Sequence, residues 1–136
     1  HMHIYAAPGY IKRYGAPKSA EEIDQHRVIV YGEEPRPPVP DVNWLLQVGR
    51  PEGKPRRAVL TVNNVYAILR AAQSGLGLAA LPEFMTQGST NLVQVLPELE
   101  GPRVDAYFVY PEELRSSKRI QVFRDFLLRK VAEYDF

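Results

Sequence analysis

Residues 60–82 constrain this chain more than any other stretch. They read Leu60-Thr61-Val62, then Asn63-Asn64, then Val65, Ile68, Leu69 and Ala72 at the spacing of one buried helical face, then Ser74-Gly75. Leu76-Gly77-Leu78-Ala79-Ala80-Leu81-Pro82 follows. The β-branched run asks for a strand, Asn63 or Asn64 can accept an orphan amide at a helix start, and Gly75 can close the helix in the left-handed region. The last run is small and apolar and too short for a helix, which is how a parallel strand covered on both faces reads. Strand, helix and strand within about 25 residues predict a right-handed crossover unit, and with it an α/β architecture.

The flanking sequence fits the same class. Ile4-Tyr5-Ala6-Ala7 reads as a short strand, and Pro8, set for a first helical position, opens a helix that carries Tyr10, Ile11 and Tyr14 and stops at Gly15. Ser19 and Glu22 have capping-box spacing, with one or two helical turns to about His26. Arg27-Val28-Ile29-Val30-Tyr31 is a buried strand bounded by Gly32. Four prolines between Glu33 and Asp41 make a rigid surface connection, a reading placed ahead of a polyproline ligand for an aromatic groove. Residues 43–48 predict a strand that forms a hairpin with residues 56–62. Arg50, Lys54, Arg56 and Arg57 fall at its tip, where they read as a solvated turn ahead of a phosphate-contacting patch. Residues 91–97 and 104–110 predict two more strands, the second aromatic-rich and stopped by Pro111. Ser116 or Ser117 caps a last helix to about Tyr134, with Ile120, Phe123, Leu127, Val131 and Tyr134 on one face.

Composition removes many functions. A chain of 136 residues, 45% hydrophobic, can build one core, and the absence of cysteine excludes a disulfide framework, a zinc finger and a thiol nucleophile. A net charge of +1 is too small to draw nucleic acid or an anionic membrane by itself. The apolar stretch 65–84 is interrupted by Arg70, Gln73, Gly75, Gly77, Pro82 and Glu83, so it does not cross a bilayer as one helix. His1-Met2-His3 lacks the order of a signal peptide and reads as a cloning scar.

Enzymatic constellations are missing too: no nucleophile elbow, P-loop or HExxH motif occurs. Two of the three histidines lie in the presumed scar, and His26 is expected to cap or hydrogen-bond. Gly75-Leu76-Gly77 ends a helix instead of opening one, so its amides face the wrong way for a phosphate. No catalytic residue, metal site or cofactor is expected. What remains is binding: free amides at the start of the helix near Asn64, and again at Pro8-Gly9-Tyr10, favour a carboxylate or similar anion. The competing reading is that Asn63 or Asn64 only caps its own helix.

Several segments, in order, resemble the effector-binding domain of LysR-type transcriptional regulators. Ala6-Ala7-Pro8-Gly9-Tyr10, then Tyr14-Gly15-Ala16-Pro17-Lys18-Ser19 with Glu22-Ile23 and His26-Arg27, is similar to the family's Ala-Ser-Pro-x-Tyr-Leu opening, Gly-x-Pro turn and histidine before a strand. Residues 60–82 match its Val-Asn-Asp … Ala-Ala-x-x-Gly-x-Gly-Ile-Ala-x-Leu-Pro stretch. Residues 92–97, 107–111 and 119–127 complete the match.

The resemblance implies a Rossmann-like lobe of a type 2 periplasmic-binding-protein-like fold, truncated, with the first lobe mostly absent. Residues 1–3 would be scar, 4–103 the second lobe, and 104–136 a returning crossover strand and helix that complete the first lobe. It implies a small-molecule effector, a carboxylate or aromatic acid, held between lobes against Pro8, Tyr31, Gly32, Thr61, Val62, Asn63 and Asn64. Ala7 stands where the family has serine, which removes one hydroxyl. The resemblance further implies a cytoplasmic homo-oligomer with Phe123, Leu127, Ile120, Val65 and Leu69 at its interface, no membrane association, and DNA contact only through a helix-turn-helix absent here. A piece of a periplasmic-type solute-binding protein is the alternative.

Overall fold

In the computed structural model, which describes residues 1–32, 40–88 and 91–133, five short strands form one mixed sheet. They are β1 (Met2–Ala6), β2 (Val28–Tyr31), β3 (Leu60–Val62), β4 (Leu78–Pro82) and β5 (Val93–Val95), in the spatial order β3-β2-β4-β1-β5. β2 runs parallel to β3 and β4, whereas β1 runs antiparallel to β4 and β5. Three helices accompany them: α1 (Pro8–Tyr14), α2 (Val65–Gln73) and α3 (Lys118–Glu133). The chain divides into two units, His1–Val104 with the sheet and Asp105–Phe136 with α3.

The crossover forms where the residue pattern puts it. Asn64 is extended (φ −146°, ψ 119°) and its Oδ1 accepts the Ala67 amide at 3.1 Å, starting α2. Ile68, Leu69 and Ala72 are buried, and Gly75 turns the chain at φ 78°. β4 is buried at all five positions, as a strand flanked by β2 and β1 must be. Gly77 is required there: a Cβ would come within 2.5 Å of the Arg27 carbonyl oxygen. Ile4, Ile23, Val28, Ile29, Leu45, Leu78 and Leu81 form the centre of the core.

Four local expectations are corrected. Residues 43–48 are not a strand but turns around a 3₁₀ segment, Trp44–Leu46. Their backbone groups are satisfied locally instead, the Leu46 amide on the Asn43 carbonyl and the Gln47 and Val48 amides on that of Trp44. The hairpin is therefore absent, and of residues 56–62 only β3 is a strand, paired parallel to β2. Residues 104–110 form no strand, with Tyr107 and Val109 over 80% exposed, because nothing among the described residues pairs with them. The carboxylate of Glu22 bonds the Lys18 amide at 2.8 Å, one residue before the expected cap, while Ser19 Oγ accepts the Glu22 amide at 3.4 Å. Most of the proline-rich connection (33–39) and Tyr134 lie outside the described residues.

The basic cluster is corrected as well, because Arg56 is buried at 7% exposure. Its amide bonds the Leu46 carbonyl, Nη1 donates to the carbonyls of Leu45 and Val48, and Nη2 donates to Ala20 O at 2.7 Å. Its Nε lies 2.6 Å from Asp24 Oδ1, and Arg50 pairs with the same carboxylate. A single guanidinium thus ties residues 44–48 to the 3₁₀ turn Glu21–Gln25. Burial raises the Asp24 carboxyl, but the Arg50 and Arg56 guanidiniums outweigh it and hold the group below its ordinary value.

Candidate functional site: the crevice at the carboxyl ends of the parallel strands

β2 and β4 are neighbours and parallel, yet the chain leaves them in opposite directions. After β2 it goes outward to β3, and after β4 it goes to β5 on the far side of β1. In open α/β sheets such a switch point leaves a crevice outside the carboxyl ends of the strands, where ligands bind. Here Tyr31, Gly32 and Pro82 edge it, with the start of α2 beside them.

A side chain serves the end of β2 beyond its ladder with β4. The Gly32 amide bonds Val62 O at 2.9 Å on the β3 side, so the polar groups of Tyr31, one residue earlier, point toward β4. The β2–β4 ladder, however, covers only Val28 and Ile29. Asn43 takes over at Tyr31, its Oδ1 accepting the amide and its Nδ2 donating to the carbonyl, each at 2.9 Å. Beneath this point lies an apolar cavity of about 20 Å³ lined by Tyr31, Val42, Leu45, Ile68 and Pro82, large enough for about one water.

Six of the seven expected effector residues gather at this end. Tyr31 is buried, Gly32 and Val62 are half-buried, and Thr61, Asn63 and Asn64 are exposed. Asn64 is occupied in capping α2. Thr61 and Asn63 make no side-chain hydrogen bond among the described residues, and the Val65 and Tyr66 amides have no partner there either. These four groups can meet an anionic or hydrogen-bonding ligand.

Pro8 is corrected: it lies at the opposite end of the sheet. Because β1 runs against β4, Met2 sits opposite Pro82 while Tyr5 sits opposite Ala79. The chain leaves β1 beside the start of β2, roughly 13 Å along the strands from Gly32. Antiparallel direction is a tertiary property that the Pro8-Gly9-Tyr10 motif does not carry. At that far end Tyr10 is buried, and its hydroxyl accepts the Arg27 amide and shares a hydrogen bond with His26 Nδ1, each at 3.0 Å. Burial lowers the His26 pKa, opposed by Glu22, and burial raises that of Tyr10 despite the Arg27 amide and charge. His26 is thus a hydrogen-bonding residue at the end of a helical turn.

The expected interface residues separate. Leu69 is corrected to a core residue at 7% exposure, and Val65 is half-buried, so α2 presents Tyr66 and Arg70 outward instead. On α3, Phe123 is 51% exposed, Ile120 and Leu127 are half-buried, and no residue is buried. Among the described residues no acidic, histidine or cysteine cluster is placed to hold a metal, and no helix is long and apolar enough to cross a membrane. What the residue pattern did not reveal is Asn43, whose role depends on a strand end 12 residues away.

The chain is similar to known regulators in sequence and in fold. The chain is 27% identical over 140 residues to the HTH-type transcriptional regulator YhjC of Escherichia coli, covering 95% of this chain and 44% of that protein. It is 29% identical over 132 residues to the transcriptional activator TtdR of Escherichia coli, covering 91% and 40%. It thus spans well under half the length of these relatives. The regulatory domain of CrgA, a LysR-type transcriptional regulator from Neisseria meningitidis, superposes with a TM-score of 0.70 at 22% identity over 95% of this chain and 63% of that one. A regulatory domain of AphB from Vibrio vulnificus does so at 0.67 and 19%, covering 94% and 63%. The fold is the periplasmic-binding-protein-like fold of such domains. The family model "LysR substrate binding domain" matches residues 1–132, and the chain therefore belongs to that family of LysR-type transcription regulators.

Proposed function

We propose that this chain is the second lobe of an effector-sensing domain, with residues 104–136 returning to complete a first lobe, and that its crevice binds a small carboxylate or aromatic acid. The observation that carries the reading is that exposed Thr61 and Asn63, with no side-chain bond among the described residues, stand within a few residues of the unpartnered Val65 and Tyr66 amides at a switch point. Tyr31, Gly32, Val62 and Asn64 frame that point. In the whole regulator the opposite wall comes from the rest of the domain, DNA is bound through a separate helix-turn-helix, and the protein works as a cytoplasmic homo-oligomer.

A cleft ligand draws its burial from both walls. Calorimetry of this 136-residue chain with benzoate and small dicarboxylates is therefore expected to give dissociation constants no tighter than about millimolar. Micromolar binding at the crevice would show that a second wall is not needed.

A further inference from the structure

The sheet end remote from Tyr31 and Gly32 carries a groove of about 400 Å³. α1 supplies Tyr10, Arg13 and Tyr14, the entry to β2 supplies Arg27, and Ser74 and Asn91 close it. Two guanidinium groups line this groove and no carboxylate does. Arg50 and Arg56 share Asp24, but neither Arg13 nor Arg27 has an ion-pair partner among the described residues.

Both arginines are held by a stack that starts in the core. Buried Tyr10 is fixed by its bonds to His26 and the Arg27 amide. Tyr14 packs on it with ring centroids 4.8 Å apart. The guanidinium carbons of Arg13 and Arg27 lie 5.3 and 5.5 Å from the centre of the same Tyr14 ring. A guanidinium over an aromatic ring satisfies its face and leaves its N–H edge seeking oxygen acceptors, with less rotamer freedom to lose when they arrive.

We propose that this groove is a second ligand site, separate from the crevice, that takes a small multiply charged oxyanion such as a phosphate ester or a tricarboxylate. Multiple charge is called for because two like charges face one ring, and a monoanion neutralises only one of them. Planar or tetrahedral oxygens match the donor fork of each guanidinium. The volume suits a small molecule, at the lower end of ligand clefts. The competing role is that Arg13, in the last turn of α1, and Arg27, near the end of α2, only complement helix dipoles, which requires no ligand.

The test is an amide-resolved NMR titration of the ¹⁵N-labelled chain with pyrophosphate and, separately, citrate at low ionic strength. Saturable shifts are expected at the Gly9, Gly75 and Asn91 amides and not at Gly32 or Asn63. Arg13→Gln and Arg27→Gln should each weaken binding about tenfold, the loss of one charge-assisted contact, whereas Arg57→Gln should leave it unchanged. A preference for one anion over the other names the class. Absence of saturation with both anions overturns the proposal, as does equal binding by the Arg13→Gln, Arg27→Gln double variant. A lowered Tm in these variants without anion binding by the parent chain assigns the arginines to the helix ends alone.

Discussion

Asn43 completes the edge of β2 at Tyr31, its side-chain amide accepting the Tyr31 N–H and donating to the Tyr31 C=O at 2.9 Å each. The side chain copies what one peptide unit of β4 would offer, and so lets β2 and β4 part where the crevice begins. Removing it leaves two polar groups of a buried strand without partners. Asn43→Ala is expected to lower stability by about 1–3 kcal/mol, read as a reduced urea midpoint with an unchanged m-value.

Arg56 and Arg57 are neighbours with opposite fates. Arg56→Met removes donors from the carbonyls of Leu45, Val48 and Ala20 and leaves Asp24 with Arg50 alone. A loss of about 2–4 kcal/mol is expected in chemical denaturation. Arg57 is exposed, and Arg57→Gln should change stability by no more than about 0.5 kcal/mol.

The His26 pKa is lowered by burial, partly opposed by Glu22. The unfolded chain therefore binds this proton more readily than the folded one. The stabilising contribution is complete above an ordinary histidine pKa of about 6.5 and is lost as pH falls through the lower folded value. A shallow decline in the urea midpoint below about pH 6.5 is expected, because the ring is only half-buried. In His26→Phe, which cannot titrate, that part of the slope should vanish; a slope that persists unchanged would assign it to other groups.

Thr61 and Asn63 are exposed and make no side-chain bond within the described residues, whereas Asn64 caps α2. In the full-length regulator, Thr61→Ala or Asn63→Ala should weaken the response to effector by about 5–10-fold in a reporter titration while leaving Tm unchanged. Asn64→Ala should instead cost about 1 kcal/mol of stability through the lost cap.

α3 buries no residue, and Val122, Phe123 and Phe126 stand 61%, 51% and 42% exposed. Phe108 meets Phe123 edge-on at 5.6 Å, extending the apolar surface within the same unit. At roughly 25 cal/mol per Å² such a face favours association. Sedimentation at tens of micromolar should show a dimer or larger species for this chain and a monomer for Phe123→Asp, Leu127→Asp. A clean monomer in both would show that the face drives no assembly.

Local chemistry was enough to read much of this protein from its residues. The Asn64 cap, the left-handed turns at Gly15 and Gly75, the buried stripe of α2 and the small-residue strand β4 each depend on neighbours within about one helical turn or on burial that composition announces. From these came the crossover unit, and from the order of motifs the family that the model match establishes.

Tertiary structure decided the rest, because those outcomes depend on partners far along the chain. Residues 43–48 and 104–110 have strand-like composition, but a strand exists only where another strand pairs with it. Arg56 could be buried only because carbonyls of Leu45, Val48 and Ala20 and the Asp24 carboxylate converge on it. Which end of the sheet holds Pro8 follows from β1 running against β4, and strand direction is set by pairing over some 75 residues of intervening chain, between Tyr5 and Ala79. A backbone hydrogen bond is blind to sequence distance, and a motif carries no record of which remote edge will receive it.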